Sequence, residues 1–150
     1  MKLVIQRISQ ARVTVNKVEV GNIGSGLLVL LGIQDDDNIT DITWLCNKLI
    51  GLRIFNDAHG VMNLSVQDVK GGLLIISQFT LMASTVKGNR PSYLLASKPE
   101  VALPIYNSFI TQLTSIFAGQ VATGMFGADM QVTLTNDGPV TIVIDSKHRY

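Results

Sequence analysis

The sequence predicts a single α+β domain over residues 1–150, in which a mixed or largely antiparallel, barrel-like β-sheet packs with two main helices. Three observations carry this. Apolar runs of strand length, alternating or continuous, recur along the chain. Only two segments, about 39–52 and 99–117, show helical periodicity. The resulting order (strands, helix, strands, helix, strands) has too few helices for a doubly wound parallel sheet.

The N-terminal segment, 2–15, is rich in Val, Ile and Thr, and Ala11-Arg12-Val13-Thr14-Val15 alternates. Asn16-Lys17 has the composition of a tight turn, from which 18–24 returns. Residues 27–33 are continuously apolar, as a central strand buried on both faces should be. Asp35, Asp36, Asp37 and Asn38 follow. Three adjacent carboxylates suit a divalent cation. Carboxylates and Asn are expected at a helix start in any case, and capping is the better reading. Ile39, Ile42, Leu45, Cys46, Leu49 and Ile50 then form the apolar face of the first helix.

Arg53-Ile54-Phe55 leads into a turn at 56–60, and 62–65 continues as strand or irregular structure. Gly71-Gly72 opens a buried strand, Leu73-Leu74-Ile75-Ile76, that runs on into Ser77-Gln78-Phe79-Thr80-Leu81. A period of two puts Gln78 and Thr80 on one face, Ser77 and Phe79 on the other. Polar groups at the end of a buried strand cost free energy unless paired. A functional site and a strand end reaching solvent both account for them. Residues 82–93 form a loop with Lys87 and Arg90 about Gly88-Asn89. Two such cations suit phosphate or carboxylate, and equally a solvated surface.

In the second helix, Ser97 and Glu100 fit a capping box around Pro99. Val101, Ile105, Phe109, Leu113 and Ile116 form its expected stripe, Pro104 a kink or delayed start, and Gly119 its stop. A Gly-punctuated stretch, 121–130, leads to two alternating runs, 131–135 and 141–144. Asn136-Asp137-Gly138-Pro139-Val140 joins them. Local chemistry makes this join a hairpin turn, with a proline that cannot donate to the ladder it enters. Residues 145–150 read as a short frayed tail.

Apolar residues make up 47% of the chain and charged residues 15%, with a formal net charge of +1. So little charge fits a surface partly covered by another subunit. It argues against a body that binds long nucleic acid along its whole surface. Cys46 stands alone, which excludes an intramolecular disulfide and a cysteine metal cluster. No apolar run is long enough to span a bilayer as a helix, and a soluble cytoplasmic protein is expected. There is no nucleophile elbow, Walker loop, dinucleotide fingerprint or metal-ligand spacing. His59 lies in a turn and His148 in the tail. An enzyme built on this chain has only hydroxyls, the Gln78 amide, backbone groups and what its substrate brings.

Ser77-Gln78-Phe79-Thr80-Leu81 and Asn136-Asp137-Gly138-Pro139-Val140-Thr141 resemble the paired signatures of bacterial-type D-aminoacyl-tRNA deacylases. Ile5-Gln6-Arg7, Gly26-Leu27-Leu28-Val29-Leu30-Leu31-Gly32, Arg53-Ile54-Phe55, Met62-Asn63-Leu64, Lys87-Gly88 with Arg90-Pro91-Ser92, and Gly127-Ala128-Asp129-Met130 resemble the same family in the same order, over essentially the whole chain. The resemblance implies a homodimer, without metal or cofactor, that hydrolyses the ester joining a D-amino acid to the 3′ end of tRNA. It also implies removal of glycine mischarged on tRNA-Ala. Ser77, Gln78 and Thr80 would be catalytic. Phe79, Gly138, Pro139, Arg7, Met125 and Phe126 would bind substrate and select its chirality, and Lys87 and Arg90 would contact tRNA. The Gly138–Pro139 bond would be cis, projecting into the partner's pocket. Such a task suits backbone recognition, because D must be told from L whatever the side chain. Two other classes stay open: a non-catalytic dimeric module for RNA ends or adenine nucleotides, and an esterase acting on small D-amino-acid esters.

Overall fold

The computed structural model describes residues 1–149. Eight strands and two helices follow the chain as β1 (Lys2–Val15), β2 (Val18–Ile23), β3 (Gly26–Gly32), α1 (Ile39–Gly51), β4 (Phe55–Asn56), β5 (Met62–Leu64), β6 (Gly72–Ser77), α2 (Pro99–Ile116), β7 (Val121–Thr123) and β8 (Gln131–Asp145). The main sheet is mixed and nearly closes as a barrel. Its order is β2-β1-β3-β6-β7, with β8 paired along the other side of β1, and β4 with β5 makes a separate small sheet. The β3–β6 and β6–β7 pairs are parallel, while β1 is antiparallel to β2, β3 and β8. Near-closure comes from β2 approaching β7. A Cβ on Gly21 would lie 2.5 Å from the Thr123 carbonyl oxygen, so the gap admits only glycine.

The β1–β2 turn is the tight one its composition predicts. Asn16 and Lys17 both have positive φ, 50° and 67°, which matches the twist of a two-residue hairpin. The continuous apolar run of β3 is explained by burial on both sides. Leu27, Val29 and Leu31 face the helices with Leu3, Ile5, Leu73 and Ile75. Leu28 faces the barrel interior with Ile8, Ala11, Val13, Leu74 and Ile76. On β1, Leu3 and Ile5 point to the helices, but Ala11 and Val13, also odd-numbered, point inward. Irregular register between Gln6 and Gln10 makes this switch.

Both helices differ in detail from expectation. In α1, Asn38 alone caps, in a box with Asp41, while Asp37 is buried against the Met1 amine. Ile39 is exposed rather than part of the apolar face. The Ser97–Glu100 capping box does not form. Lys98 is the N-cap residue without a side-chain bond, since Pro99 takes the first helical position, and Ser97 Oγ donates to Asp35 Oδ1 at 2.7 Å. The helix runs through Pro104 without a delayed start. Phe109 and Leu113 of the expected stripe are buried, but Ala102 and Tyr106 take the places expected for Val101 and Ile105, and Val101 and Ile116 are exposed. The Tyr106 hydroxyl, donating to the Ile75 carbonyl at 3.3 Å, fixes Tyr106 in that place.

The expected frayed tail is packed down through Arg149; Tyr150 lies outside the described residues. Ser146 is buried, and its N–H donates to the Met1 carbonyl at 2.9 Å. Lys147 Nζ donates to Asp41 Oδ2 at 2.9 Å and lies 3.5 Å from Asp36 Oδ2. The Arg149 guanidinium covers the Trp44 ring at 4.4 Å. Polar composition misled here because the partners are carboxylates far away in sequence.

Burial pushes the Asp41 carboxyl up, but hydrogen bonds from Lys147, Ser146 and the Asn38 backbone outweigh it and hold it below its usual 3.8. A lowered carboxylate stabilises the fold above its unfolded pKa and loses that contribution as the pH falls. Lys147→Ala should therefore lower the melting temperature at pH 7 by roughly 2–4 °C. The gap from the parent protein should close in scans below pH 4; a gap of constant size would show that the Asp41 pair is not its source.

Candidate active site

Ser77 ends β6, opposite Leu31 of β3. The expected strand through Leu81 does not continue. The Gln78 N–H donates to the Leu31 carbonyl at 2.8 Å, and the chain then coils into a 3₁₀ turn over Phe79–Met82. β3 stops at Gly32, so residues 79–81 have no ladder to join. Gly32 also lets the turn pack, since a Cβ there would stand 2.9 Å from Leu81 Cβ and 3.2 Å from the Gln78 carbonyl. The turn brings Gln78 Nε2 to 2.5 Å from Thr80 Oγ1, so the amide donates to the hydroxyl. Thr80 accepts that bond and keeps its own proton to donate. Ser77 and Thr80 are half-buried and Phe79 is exposed. Among the described residues, no carboxylate or imidazole bonds to either hydroxyl.

Beside this turn stands the segment after β7. The Gly124 N–H donates to the Ile75 carbonyl at 3.1 Å, the same oxygen that accepts from Tyr106. A Cβ on Gly124 would lie 2.5 Å from the Met130 sulfur, so a larger residue there would push the Met130 side chain aside. Met125 is half-exposed, and the Phe126 ring centroid is 5.5 Å from that of Tyr106. Burial pushes the Tyr106 phenol up to about 12, which keeps it a donor. The basic loop adjoins the turn from another side. Ser84 and Ser92 exchange two backbone bonds of 2.8 Å, closing a loop on which Lys87 and Arg90 are exposed. The Tyr93 ring meets Phe79 edge-on at 5.2 Å.

The join at 136–140 is not a hairpin. Both flanking runs belong to β8 and pair with β1: Asn136 lies opposite Ile8 and Thr141 opposite Gln6. The short span from Gln6 to Ile8 faces the longer one from Asn136 to Thr141, so the surplus residues bulge out. Asp137, Gly138 and Pro139 are exposed, Gly138 has φ 129°, and the Gly138–Pro139 bond is cis. The root of the bulge is tied from within. Arg7, 7% exposed, donates from Nη1 to the Ile54 carbonyl at 2.6 Å and from Nε to the Asp137 carbonyl at 3.1 Å. Asn136 Oδ1 accepts from the Val140 N–H at 2.9 Å, and its Nδ2 donates to Thr141 Oγ1 at 3.1 Å. A Cβ on Gly138 would stand 3.0 Å from Arg7 Nη2.

One protomer does not bring bulge and turn together. Ser77 shares a row with Leu31 and Leu3, whereas the bulge lies beside Arg7, opposite Leu27. That is about 13 Å along the strands, plus three strand spacings, about 14 Å, across the sheet from β8 to β6. Cys46 is buried with its thiol pushed up to about 12 by desolvation, unfit as a nucleophile. His59 and His148 are exposed, away from the turn. A cleft of about 380 Å³ between β1, β2 and β8, lined by Arg12, Glu19 and Asn22 among others, contains none of the predicted site residues. Sequence reasoning missed the Asn136 clasp, the Ile54 carbonyl, Tyr106 and Tyr93. Only Asn136 carried a signal, as an Asn four residues before the amide it caps.

The chain matches the family model described as D-Tyr-tRNA(Tyr) deacylase over residues 4–145. A D-aminoacyl-tRNA deacylase of Flavobacterium psychrophilum is 59% identical over 99% of both chains. One of Akkermansia muciniphila is 55% identical over 99% of both. The solved structure titled c-Myc DNA Unwinding Element Binding Protein is 41% identical, with a TM-score of 0.92, over 97% of this chain and 98% of that one. A probable eukaryotic D-amino acid tRNA deacylase shares the fold at 19% identity and TM-score 0.79, over 95% and 97%.

The clasp at the root of the bulge is directly testable. Asn136→Ala strands the part-buried Val140 N–H at a local cost of about 1–3 kcal/mol. Hydrogen exchange at Val140 should accelerate roughly tenfold to hundredfold, with β3 and β6 amides unchanged. Unaltered exchange at Val140 would show that the clasp does not hold the bulge.

Proposed function

Because the chain belongs to the D-Tyr-tRNA(Tyr) deacylase family, we propose that it hydrolyses the ester of D-aminoacyl-tRNA, releasing the D-amino acid and tRNA. The observation that carries this reading is the exposed Gly138–Pro139 bulge, held by Arg7 and Asn136, in a chain whose D-aminoacyl-tRNA deacylase relatives align along nearly its whole length. The backbone carbonyls of Gly138 and Pro139 act as the chirality filter. An L side chain is driven into them, a D side chain points away, and glycine, with nothing to reject, passes. Glycine mischarged on tRNA-Ala is then also a substrate.

The separation of bulge and turn within one protomer supports a homodimer in which the bulge of each enters the other's pocket. The low charge of the chain and the exposed outer face of β8 fit the same arrangement. The enzyme works without metal or cofactor, and a tRNA substrate accords with a cytoplasmic protein. No helix among the described residues is long and apolar enough to cross a membrane.

With no base on either hydroxyl, water rather than Ser77 or Thr80 attacks the ester carbonyl carbon. The N–H groups of Phe79 and Thr80, at the open start of the turn, receive the developing oxyanion. Gln78 holds the Thr80 hydroxyl in line. The substrate's 2′-hydroxyl relays the proton shed by the attacking water to the 3′ oxygen, so that the C–O3′ bond breaks and the tRNA leaves with a free 3′-hydroxyl. Phe79, Met125 and Phe126 line the aminoacyl end, and Lys87 and Arg90 meet acceptor-end phosphates.

D-aminoacyl-tRNA, L-aminoacyl-tRNA and a free D-amino-acid ester assayed side by side test this reading. Hydrolysis of the first alone is expected; no hydrolysis of any would favour a binding module, and hydrolysis of the free ester a small-molecule esterase. Thr80→Ala should retain activity within roughly tenfold, since a true general acid–base contributes about 10²–10⁴; near-complete loss with fold and tRNA binding intact would overturn the water mechanism. Neutralising Lys87 and Arg90 should weaken tRNA binding and flatten its salt dependence by about one in log–log slope per contact.

A further inference from the structure

We infer that Ser97 and Asp35 are positioning residues for RNA binding: their side-chain bond closes the neck of the loop that carries Lys87 and Arg90, and so sets where those cations stand. The inference rests on the reading above for what the two cations meet. The segment 79–96 is tethered at both ends to the chain at the end of β3. At its start the Gln78 N–H donates to the Leu31 carbonyl at 2.8 Å, and at its close the Ser97 N–H donates to the Ile33 carbonyl at 3.0 Å. Tethers so close together on one strand end bring the two ends of the segment side by side and leave the rest as a surface loop.

The body of the loop does little to hold itself in place. No residue from Ala83 to Ala96 is buried. Its large apolar side chains do not anchor it: Val86, Leu94 and Leu95 are 89%, 92% and 63% exposed. The Ser84–Ser92 bridge ties the loop to itself, and Tyr93 meets Phe79, which is itself exposed. Fixing the exit falls to Ser97, which is buried and whose Oγ donates to Asp35 Oδ1 at 2.7 Å. A hydroxyl bound to a carboxylate is among the stronger hydrogen bonds. Helix α2 makes no use of that hydroxyl, since Lys98 is its N-cap residue and Pro99 its first helical one. Without the side-chain bond the exit keeps only its backbone tether, and the loop spends less of its time in the placed position.

The test titrates uncharged tRNA into the full chain, at low salt so that residual binding is measurable, and follows D-aminoacyl-tRNA hydrolysis alongside. Ser97→Ala should weaken tRNA binding roughly three- to thirtyfold, as a smaller binding-competent fraction does, and raise KM by a similar factor with kcat unchanged. Asp35→Ala should weaken binding too. Deleting an acidic charge by itself strengthens binding to a polyanion, so the direction separates the clasp from bulk charge. The double variant should be no weaker than Ser97→Ala alone, and in a Lys87→Gln, Arg90→Gln background Ser97→Ala should have no further effect. Tighter or unchanged binding on Asp35→Ala, weakening by Ser97→Ala that persists without the two cations, a fall in kcat at unchanged KM, or a parent protein that binds no tRNA would each overturn the inference. Because the titration involves no ester, clasp-dependent binding without D-aminoacyl-tRNA hydrolysis would remove the deacylase reading and leave the clasp standing.

Discussion

The buried guanidinium of Arg7 is the constraint on which the bulge depends. β1 carries Leu3 and Ile5 toward the helices, and Arg7 is the next residue of that row. A charge in an apolar row is costly unless its donors are satisfied. Here they reach two main-chain carbonyls on opposite sides, Ile54 from the segment after α1 and Asp137 from the bulge, with Asp137 Oδ2 also 3.3 Å away. One side chain therefore fixes the root of the exposed loop against the body of the protein. The Asn136 clasp closes the same loop from its other end.

The turn at the end of β6 is built on the opposite principle. It has no charge at its centre and depends on an absence of atoms. β3 ends at Gly32, and the missing side chain leaves room for the 3₁₀ turn to lie against the sheet. The segment carrying Met125 and Phe126 also passes close to the sheet, at Gly124, but there only the side-chain ends of Met130 and Ile76 stand in the way. The close approach at Gly32 helps shape a surface lined by hydroxyls, an amide and aromatic rings rather than by acids and bases.

Fold class, both helices and most strands are legible in the sequence because hydrophobic periodicity reports burial directly. What was not legible depends on long-range partners. The tail is packed although its composition is polar, because Lys147 finds Asp36 and Asp41, more than a hundred residues away. The 77–81 alternation does not make a strand, because whether a strand continues depends on its neighbour, and β3 ends first. The hairpin reading failed for the same reason: 131–135 and 141–144 pair with β1 and not with each other. The two motifs drew notice through residue type, but their separation in one protomer needed the register.

β8 is an edge strand, with β1 its paired neighbour. Along its outer side lie backbone groups free to accept a foreign strand, and Val143 stands half-exposed there. An unpaired edge of this length invites indiscriminate pairing and aggregation. The bulge interrupts it midway, and Pro139 offers no N–H to an incoming ladder. The residues proposed as the chirality filter thus also guard the edge: a stray chain can zip only along one short half, while a partner shaped to receive the protruding loop still fits.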